Sequence, residues 1–395
     1  MQGSPRPLPV RAAVAAALAA LAFASTPAIA QLRVGVTNLV TDDQAANAAK
    51  LTDTGLVNAW GVSYPATGPF WVSSNGGGTA LLYSVNPATQ ATTKLGITVT
   101  IPDAGSVTGQ VFNAAGAASF NGDNFLFVSE DGTISGWRNA LGMTAERLRT
   151  GSPANVYKGA AFATLSDTGY LYAANFRAGT IDVVKGENLA PDLTGRFTDP
   201  NLPAGYAPFN IQNLDGTMYV TYALQNATGD EELKGPGRGF VSAFDLQGNL
   251  IGRIASAGPL DAPWGLAIAP TSFGALAGSL LVGNFGDGRI NAFDLSSPTH
   301  AFLGQLAASD GTPLAIDGLW ALTPGNDGNA GSSHRIYFTA GPGDESHGLL
   351  GVLTPPGIAA VPETSTSLLL LSGLVGIGFL VGRRGAAAKR GTVTR

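Results

Sequence analysis

The sequence predicts an all-β protein, a six-bladed β-propeller of four-stranded antiparallel blades whose ring is closed by the N-terminal strand. Three observations lead to this fold class: a turn-rich composition, six recurrences of one strand pair, and an early strand with no partner nearby. Gly contributes 54 of the 395 residues and Pro 24, while only 12% of the residues are charged. This composition is typical of a β protein with many turns.

One apolar strand recurs six times, followed each time by a turn and a second strand. The first strands are predicted at 70–74, 125–129, 170–175, 218–223, 280–285 and 336–341. The second strands are predicted at 80–85, 133–137, 180–184, 240–246, 289–295 and 348–353. Gly, Asn and Asp occupy the turns, where a positive φ is needed, so each pair predicts a β-hairpin. Six hairpins predict six blades.

Each hairpin is flanked by the runs expected for the inner and outer strands of a blade. Inner strands with small residues are predicted at 61–65, 117–120, 159–165, 209–214, 265–270 and 319–324, and outer strands at 193–197, 250–254 and 302–306. The sixth hairpin runs into Pro355 and Pro356, so we expect residues 32–40 to supply its outer strand and close the ring. An open β-sandwich or a pair of domains is the alternative.

The N-terminus predicts a secretory signal peptide over residues 1–30. Arg6 and Arg11 precede an apolar run at 12–24, and small residues mark a cleavage site between Ala30 and Gln31. A core helix is the alternative, but the Ala-rich run has no amphipathic face. We therefore expect export, with a mature propeller over 31–357.

The C-terminal tail, residues 358–395, has three consecutive parts. They are Val361, Pro362 and Glu363, an apolar transmembrane segment at about 365–382, and a basic pair, Arg383 and Arg384. This arrangement resembles the PEP-CTERM sorting signal, although Thr364 stands where that signal usually has Pro. The resemblance implies that the tail anchors the protein in the inner membrane. An exosortase would then process it, leaving the protein on the cell surface or outside the cell.

The stretches "APWGLAIAP" (262–270) and "SLLVGNFGDGRINAF" (279–293) resemble the NHL repeat. With the sorting tail, nearly all of the mature region is similar to a family of exported bacterial six-bladed β-propellers. The resemblance implies the fold and export but no activity. The formal net charge of −5 and the absence of Cys argue against nucleic-acid binding, disulfides and thiolate metal sites.

Two long loops, 223–239 and 340–348, are predicted on one face of the ring, at the mouth of its central channel. Long structured loops on a rigid ring usually carry recognition, and a tolerated insertion is the alternative for 223–239. The ligand-face candidates on this side are Trp60, Trp264, Trp320, Glu231, Glu232 and Arg238. The indoles would stack on sugars, whereas packing between blades is the alternative.

Oxygen-bearing side chains near the same mouth suggest a hard cation such as Ca²⁺. The candidate ligands are Asn175, Asn284, Asp287, Asp261 and Asp317. Lactonase-type propellers hold their metal at this location, but Asn and Asp before Gly are also what turns require. Glu345 and His347 form a tight cluster of acid and imidazole, and they are the candidates for a general base or a metal ligand.

The sequence leaves two functions from different classes open. The first is a non-enzymatic surface or extracellular protein that binds a polysaccharide, such as a biofilm matrix component, or another surface protein. The second is a Ca²⁺-dependent hydrolase of the lactonase or esterase type. A periplasmic scaffold that assists assembly is a third interpretation.

Overall fold

The computed structural model describes residues 33–103 and 105–356. The expected signal peptide (1–30), its cleavage site at Ala30 and Gln31, and the expected tail (358–395) lie outside these residues. The described part forms a six-bladed β-propeller, as the repeats predict. Every helix in this part is too short or too polar to span a membrane.

The first two strands, β1 (Arg33–Thr41) and β2 (Leu51–Thr52), precede the first hairpin. Blade 1 contains β3 (Ala59–Ser63), β4 (Phe70–Ser74), β5 (Thr79–Val85) and β6 (Thr92–Thr100). Blade 2 contains β7 (Val107–Phe112), β8 (Phe125–Ser129), β9 (Ile134–Trp137) and β10 (Glu146–Arg149). Blade 3 contains β11 (Tyr157–Leu165), β12 (Thr168–Asn175) and β13 (Thr180–Lys185).

The second half of the ring follows the same plan. Blade 4 contains β14 (Tyr206–Leu214), β15 (Thr217–Leu224), β16 (Phe240–Phe244) and β17 (Leu250–Ser256). Blade 5 contains β18 (Pro263–Ile268), β19 (Leu280–Asn284), β20 (Ile290–Phe293) and β21 (Phe302–Gln305). After β22 (Ala307–Ala308), blade 6 contains β23 (Leu319–Pro324), β24 (Ile336–Ala340) and β25 (Leu349–Thr354). Short 3₁₀ segments lie at Gly116–Ala118, Phe120–Gly122, Asn139–Leu141 and Thr271–Leu276.

The N-terminal strand closes the ring, as predicted. β1 runs antiparallel to β25, from the pair Gly35 and Thr354 to the pair Thr41 and Leu349. β1 is thus the outer strand of blade 6, so the last blade contains the first strand of the described chain. This arrangement covers the edge of β25 that would otherwise be open.

The inner strand of blade 2 differs from the prediction. The run 117–120 was expected to form it, but these residues lie in and around two short 3₁₀ segments, and β7 takes the inner position. The reason is steric. A Cβ on Gly109 of β7 would lie 2.5 Å from the backbone nitrogen of Ala160, so only a glycine-bearing strand fits against blade 3 there.

Blade 3 also departs from the four-stranded plan. The predicted outer strand at 193–197 is not a strand, because its backbone bonds to the turn of blade 4 and not to β13. The amides of Gly195 and Phe197 donate to the carbonyls of Gln247 and Gly248 at 2.8 and 2.9 Å. Phe197 then packs between the blades, against Tyr172.

The inner strands approach one another so closely that glycine is required. A Cβ on Gly61 would lie 2.5 Å from the carbonyl oxygen of Thr108, and one on Gly265 would lie 2.6 Å from that of Trp320. Side chains also bond across blades: Asn210 Nδ2 donates to the carbonyl of Trp264 at 2.8 Å. The inner strands therefore form a fixed wall around the channel.

Candidate functional site

The two long loops meet over the channel mouth, where the inner strands begin. Lys234 of loop 223–239 lies 3.9 Å from Asp344 of loop 340–348, measured from Nζ to Oδ1. The amide of Gly235 donates to Asp261 Oδ1 of blade 5 at 2.6 Å. Arg177 Nη2 of blade 3 lies 3.0 Å from Asp230 Oδ2. Loop 223–239 is therefore tied to three other blades, 3, 5 and 6.

Below these loops lies an aromatic layer that blocks the channel. Trp60 stacks on Trp320 with ring centroids 3.6 Å apart, and Phe285 stacks on the same indole at 3.9 Å. Trp264 meets Trp320 edge-on at 5.9 Å. All four rings are buried. The three indoles that were candidates for sugar stacking thus pack against other aromatic rings. This is the arrangement expected if they pack between blades.

A lysine with no exposed side-chain surface lies at the centre of the mouth. Lys158, near the start of β11, donates from Nζ to Glu130 Oε1 at 2.6 Å and to Glu231 Oε2 at 2.9 Å. The ammonium lies 5.2 Å from the ring centroid of Trp60. Burial alone would lower the pKa of Lys158, but the carboxylates raise it above its ordinary value. Lys158 is therefore a permanent cation and a poor nucleophile.

A chain of hydrogen bonds joins this lysine to blades 1 and 6. Asn58 Nδ2 donates to Glu345 Oε2 at 2.7 Å and to Asn75 Oδ1 at 3.3 Å. Asn75 Nδ2 donates to Glu130 Oε2 at 3.0 Å, and Trp320 Nε1 donates to Asn58 Oδ1 at 2.8 Å.

We call Lys158 and the glutamates around it, Glu130, Glu231, Glu232 and Glu345, the mouth cluster. Four blades, 2, 3, 4 and 6, supply its side chains. Side chains from four separate segments of the sequence thus lie close together and interact electrostatically.

Two glutamates of the mouth cluster have raised pKa values, which favour their protonated form. Burial raises the pKa of Glu232 to about 7, and Lys158 only partly offsets this effect. Glu232 Oε2 is buried and has no hydrogen-bond partner among the described residues. Burial also raises the pKa of Glu345. The cluster therefore combines a carboxylic acid with a pKa of about 7 and a permanently charged ammonium group.

Glu345 and His347, predicted as a pair, face different surroundings. Glu345 accepts the Asn58 hydrogen bond inside the mouth, whereas His347 Nδ1 lies 3.1 Å from Asp42 Oδ2 beside β1. Positive φ angles at Asp344 and Glu345, 55° and 67°, turn the loop between the two directions. Glu345 joins the mouth cluster and His347 does not.

The proposed calcium ligands form turns. Asn175 Oδ1 accepts the amides of Val156 and Ala178 at 3.3 and 3.2 Å. Asn284 Nδ2 donates to Asp287 Oδ1 at 2.9 Å, and the same oxygen accepts the amide of Arg289 at 3.1 Å. Asn175 and Asp287 therefore bond to local backbone groups, as turn residues do, whereas Asn284 Oδ1 is buried without a hydrogen-bond partner among the described residues.

The remaining candidates bond to backbone groups of the two long loops. Asp317 Oδ2 accepts the amide of Gly343 at 2.9 Å, and Arg238 Nη1 donates to the carbonyl of Lys234 at 2.8 Å. Burial and the nearby Asp287 raise the pKa of Asp261. Within residues 33–103 and 105–356, no three His, Cys, Asp or Glu side chains are grouped as a metal site requires. The predicted Ca²⁺ ligand set stays a prediction, since Asn side chains and backbone carbonyls are also Ca²⁺ ligands.

Sequence reasoning missed Lys158, Glu130, Asn58 and Asn75. One signal was available, because Lys158 is a charged residue in the otherwise apolar run 157–163 of an inner strand. A lysine is almost never fully buried unless it is paired. Its partners had no such signal, since Glu130 and Asn75 occupy turns where polar residues are ordinary.

No model of a known protein family matches the chain. Uncharacterized protein R648 of Acanthamoeba polyphaga mimivirus is 30% identical over 327 residues, covering 77% of this chain and 76% of R648. The chain belongs to the R648 family. Uncharacterized protein L690 of the same virus is 31% identical over 326 residues, covering 76% of this chain and 81% of L690. The names of these R648-family members state no activity.

A solved structure supports the fold of this R648-family member. A mutant α-L-arabinofuranosidase from Fusarium graminearum, in complex with an iminosugar inhibitor, superposes with a TM-score of 0.52 at 11% identity. The superposition covers 82% of this chain and 98% of the enzyme. At this identity the likeness shows the fold alone.

Proposed function

We propose that the chain is an exported β-propeller that binds a positively charged group at its channel mouth. The observation that carries this proposal is the mouth cluster, in which four glutamates surround one lysine. Two acidic side chains of the covering loops also reach solvent: that of Glu231 is 56% exposed and that of Asp344 is 97% exposed. An acidic surface of this kind attracts cations.

The excess of carboxylates explains why a cation would bind favourably. Burial and neighbouring glutamates both raise the pKa of Glu232 and Glu345, so ionising either side chain costs free energy. An incoming ammonium or guanidinium group would lower that cost. Because the loops are tied to several blades, little ordering is needed on binding.

The partner we propose is a cell-surface protein or a matrix polysaccharide that carries ammonium or guanidinium groups. The sequence signatures at both ends support this location. Residues 1–30 would direct export, and the tail would hold the chain in the inner membrane until an exosortase-type enzyme processes it. N-terminal sequencing of the exported protein should begin at Gln31, and its mass should show loss of the tail.

Calorimetric titration with a decalysine peptide tests the binding proposal. We expect saturable binding, with Kd of about 10 μM at low salt, that weakens as salt is added. Glu231→Gln should weaken it about fivefold or more. Asp215→Asn is the matched control, because it removes one exposed charge on the opposite face at a position, φ 52°, that Asn tolerates. Equal losses in both variants would contradict a site at the mouth.

One observation favours a second function, hydrolysis by acid–base catalysis. A carboxylic acid with a pKa of about 7, such as Glu232, is suited to donate a proton to a leaving group. A screen of aryl glycosides, esters and lactones tests it. Activity that Glu232→Gln abolishes would support the function, and activity that this variant retains would oppose it.

A further inference from the structure

The channel contains a cavity of about 210 Å³ on the far side of the aromatic layer. It extends from Trp264 to the last residues of the inner strands. The aromatic layer and the mouth cluster therefore lie at one end of the channel, and this cavity lies towards the other. The cavity and the mouth cluster share no residue.

Three aromatic rings line the end of the cavity, one from each of three consecutive blades. They are Tyr64, which directly follows β3, Phe112 of β7 and Phe162 of β11. Each is half-buried, so part of each ring is accessible.

Neighbouring residues hold these rings in place. Tyr64 and Phe112 each pack edge-on against a phenylalanine behind them, with centroids 5.5 Å apart in both pairs. Phe162 lies against Gly169, where a Cβ would be 2.7 Å from Phe162 Cζ. The rings are therefore preorganised.

The polar groups of the cavity are uncharged. Ser63, Gln110, Gln212 and Thr323 contribute hydroxyl and amide groups. Gln110 Nε2 already donates to the carbonyl of Gly61 at 2.9 Å. The Gln212 side chain, by contrast, makes no hydrogen bond within residues 33–103 and 105–356, so its amide is available to a ligand.

The described residues that line the cavity include no Asp, Glu, Lys, Arg or His. Burial raises the pKa of Tyr64, so its hydroxyl also stays neutral. An ionised ligand would lose its hydration there without gaining a counter-charge, which is costly. The lining therefore selects against charged ligands.

We propose that this cavity binds one neutral sugar ring, either a free hexose or the uncharged end of a saccharide. The aromatic rings would pack on the C–H faces of the sugar, and Gln212 and Ser63 would bond to its hydroxyl groups. The volume is below the roughly 300–1,000 Å³ typical of sites for drug-sized ligands, which restricts the site to a single ring. The site is independent of the mouth cluster.

Saturation-transfer NMR with the full-length protein tests this proposal. The probes are glucose, galactose and mannose, compared with glucuronic acid and glucosamine as charged analogues of similar size. We expect saturable binding of at least one neutral hexose with Kd of about 1 mM, and binding of the charged analogues at least tenfold weaker. No saturation by any neutral hexose at about 100 mM, or equal binding of the charged analogues, would overturn it.

Substitutions in the cavity test whether the hexose binds there. Gln212→Leu should weaken hexose binding about tenfold by removing the free amide, and Phe162→Ala should do the same by removing a stacking face. Gln247→Leu is the matched control, because it replaces an amide outside the cavity, and it should leave hexose affinity unchanged. Thermal melts confirm that each variant is folded. Hexose affinity that both cavity variants retain would overturn the proposal.

Discussion

Lys158 Nζ lies 2.6 Å from Glu130 Oε1, and no part of the lysine side chain reaches solvent. The two residues belong to the inner strand of blade 3 and to the hairpin turn of blade 2. Glu231, from the long loop of blade 4, binds the same ammonium. This one side chain therefore links three blades at the channel mouth, and its removal tests how far it stabilises them.

Replacing Lys158 with Met should destabilise the protein by about 3 kcal/mol, because it leaves several carboxylates close together without their cation. Lys185→Met is the matched control: its partner Asp192 has a side chain that is 91% exposed, so the loss of stability should be much smaller. Urea unfolding of both variants measures the difference. Equal losses would mean that the buried ammonium adds nothing beyond a surface ion pair.

Glu232→Gln should change the pH dependence of stability. Folded Glu232 keeps its proton up to about pH 7, whereas the unfolded chain releases it near 4.5. Between these values the unfolded state binds fewer protons, so this group makes the wild type less stable as pH rises. The Glu232→Gln variant has no carboxyl group at this position, so it does not lose stability in this way as pH rises.

The variant should therefore gain about 3 kcal/mol relative to wild type between pH 4.5 and pH 7, and no more above it. Lowered carboxyl pKa values, such as that of Asp199, act in the opposite direction but equally in both proteins. Chemical unfolding at pH 4, 6 and 8 gives the difference. A stability difference that is independent of pH would contradict the shifted pKa of Glu232.

Gly61→Ala should destabilise the ring by about 2 kcal/mol or more, because the new methyl group would lie 2.5 Å from the carbonyl oxygen of Thr108. Gly252→Ala on β17 is the control, since a Cβ there has nothing within 4 Å. It should be neutral or slightly stabilising. Thermal unfolding compares them, and similar melting temperatures would show that blades 1 and 2 do not approach as described.

A disulfide tests ring closure directly, because the chain has no Cys of its own. Gly35 and Thr354 are opposite each other in β1 and β25, so Gly35→Cys with Thr354→Cys should cross-link on oxidation and raise the melting temperature. Thr37→Cys with Thr354→Cys, two residues out of register, should cross-link poorly. Preferential cross-linking of the second pair would contradict the register.

The sequence predicted the blade order because each hairpin carries its own local signal, an apolar strand, a turn residue and a second strand. It also predicted ring closure, since residues 32–40 were a strand without a neighbour. It was wrong at 117–120 and 193–197, where tertiary contacts decided the outcome. The bonds of Gly195 to blade 4 are an example, because no local pattern encodes them.

The site was harder to predict than the fold. Glu231, Glu232 and Glu345 were found because they lie in two long loops on one face, and loop length is visible in the sequence. Lys158 and its bonds to Glu130 and Glu231 depend on which inner-strand residues converge at the mouth. That convergence depends on the close approach of the inner strands, which glycines permit. In the sequence these glycines were recognised only as small residues.

Hydrogen–deuterium exchange with the decalysine peptide is the most direct test of the central claim, that the mouth bearing the mouth cluster is where this propeller binds its partner. The account predicts slower exchange for amides of residues 225–239 and 341–348 when the peptide is bound, and no change in the turn at 214–217 on the opposite face. Protection confined to that opposite face, or none at saturating peptide, would contradict it.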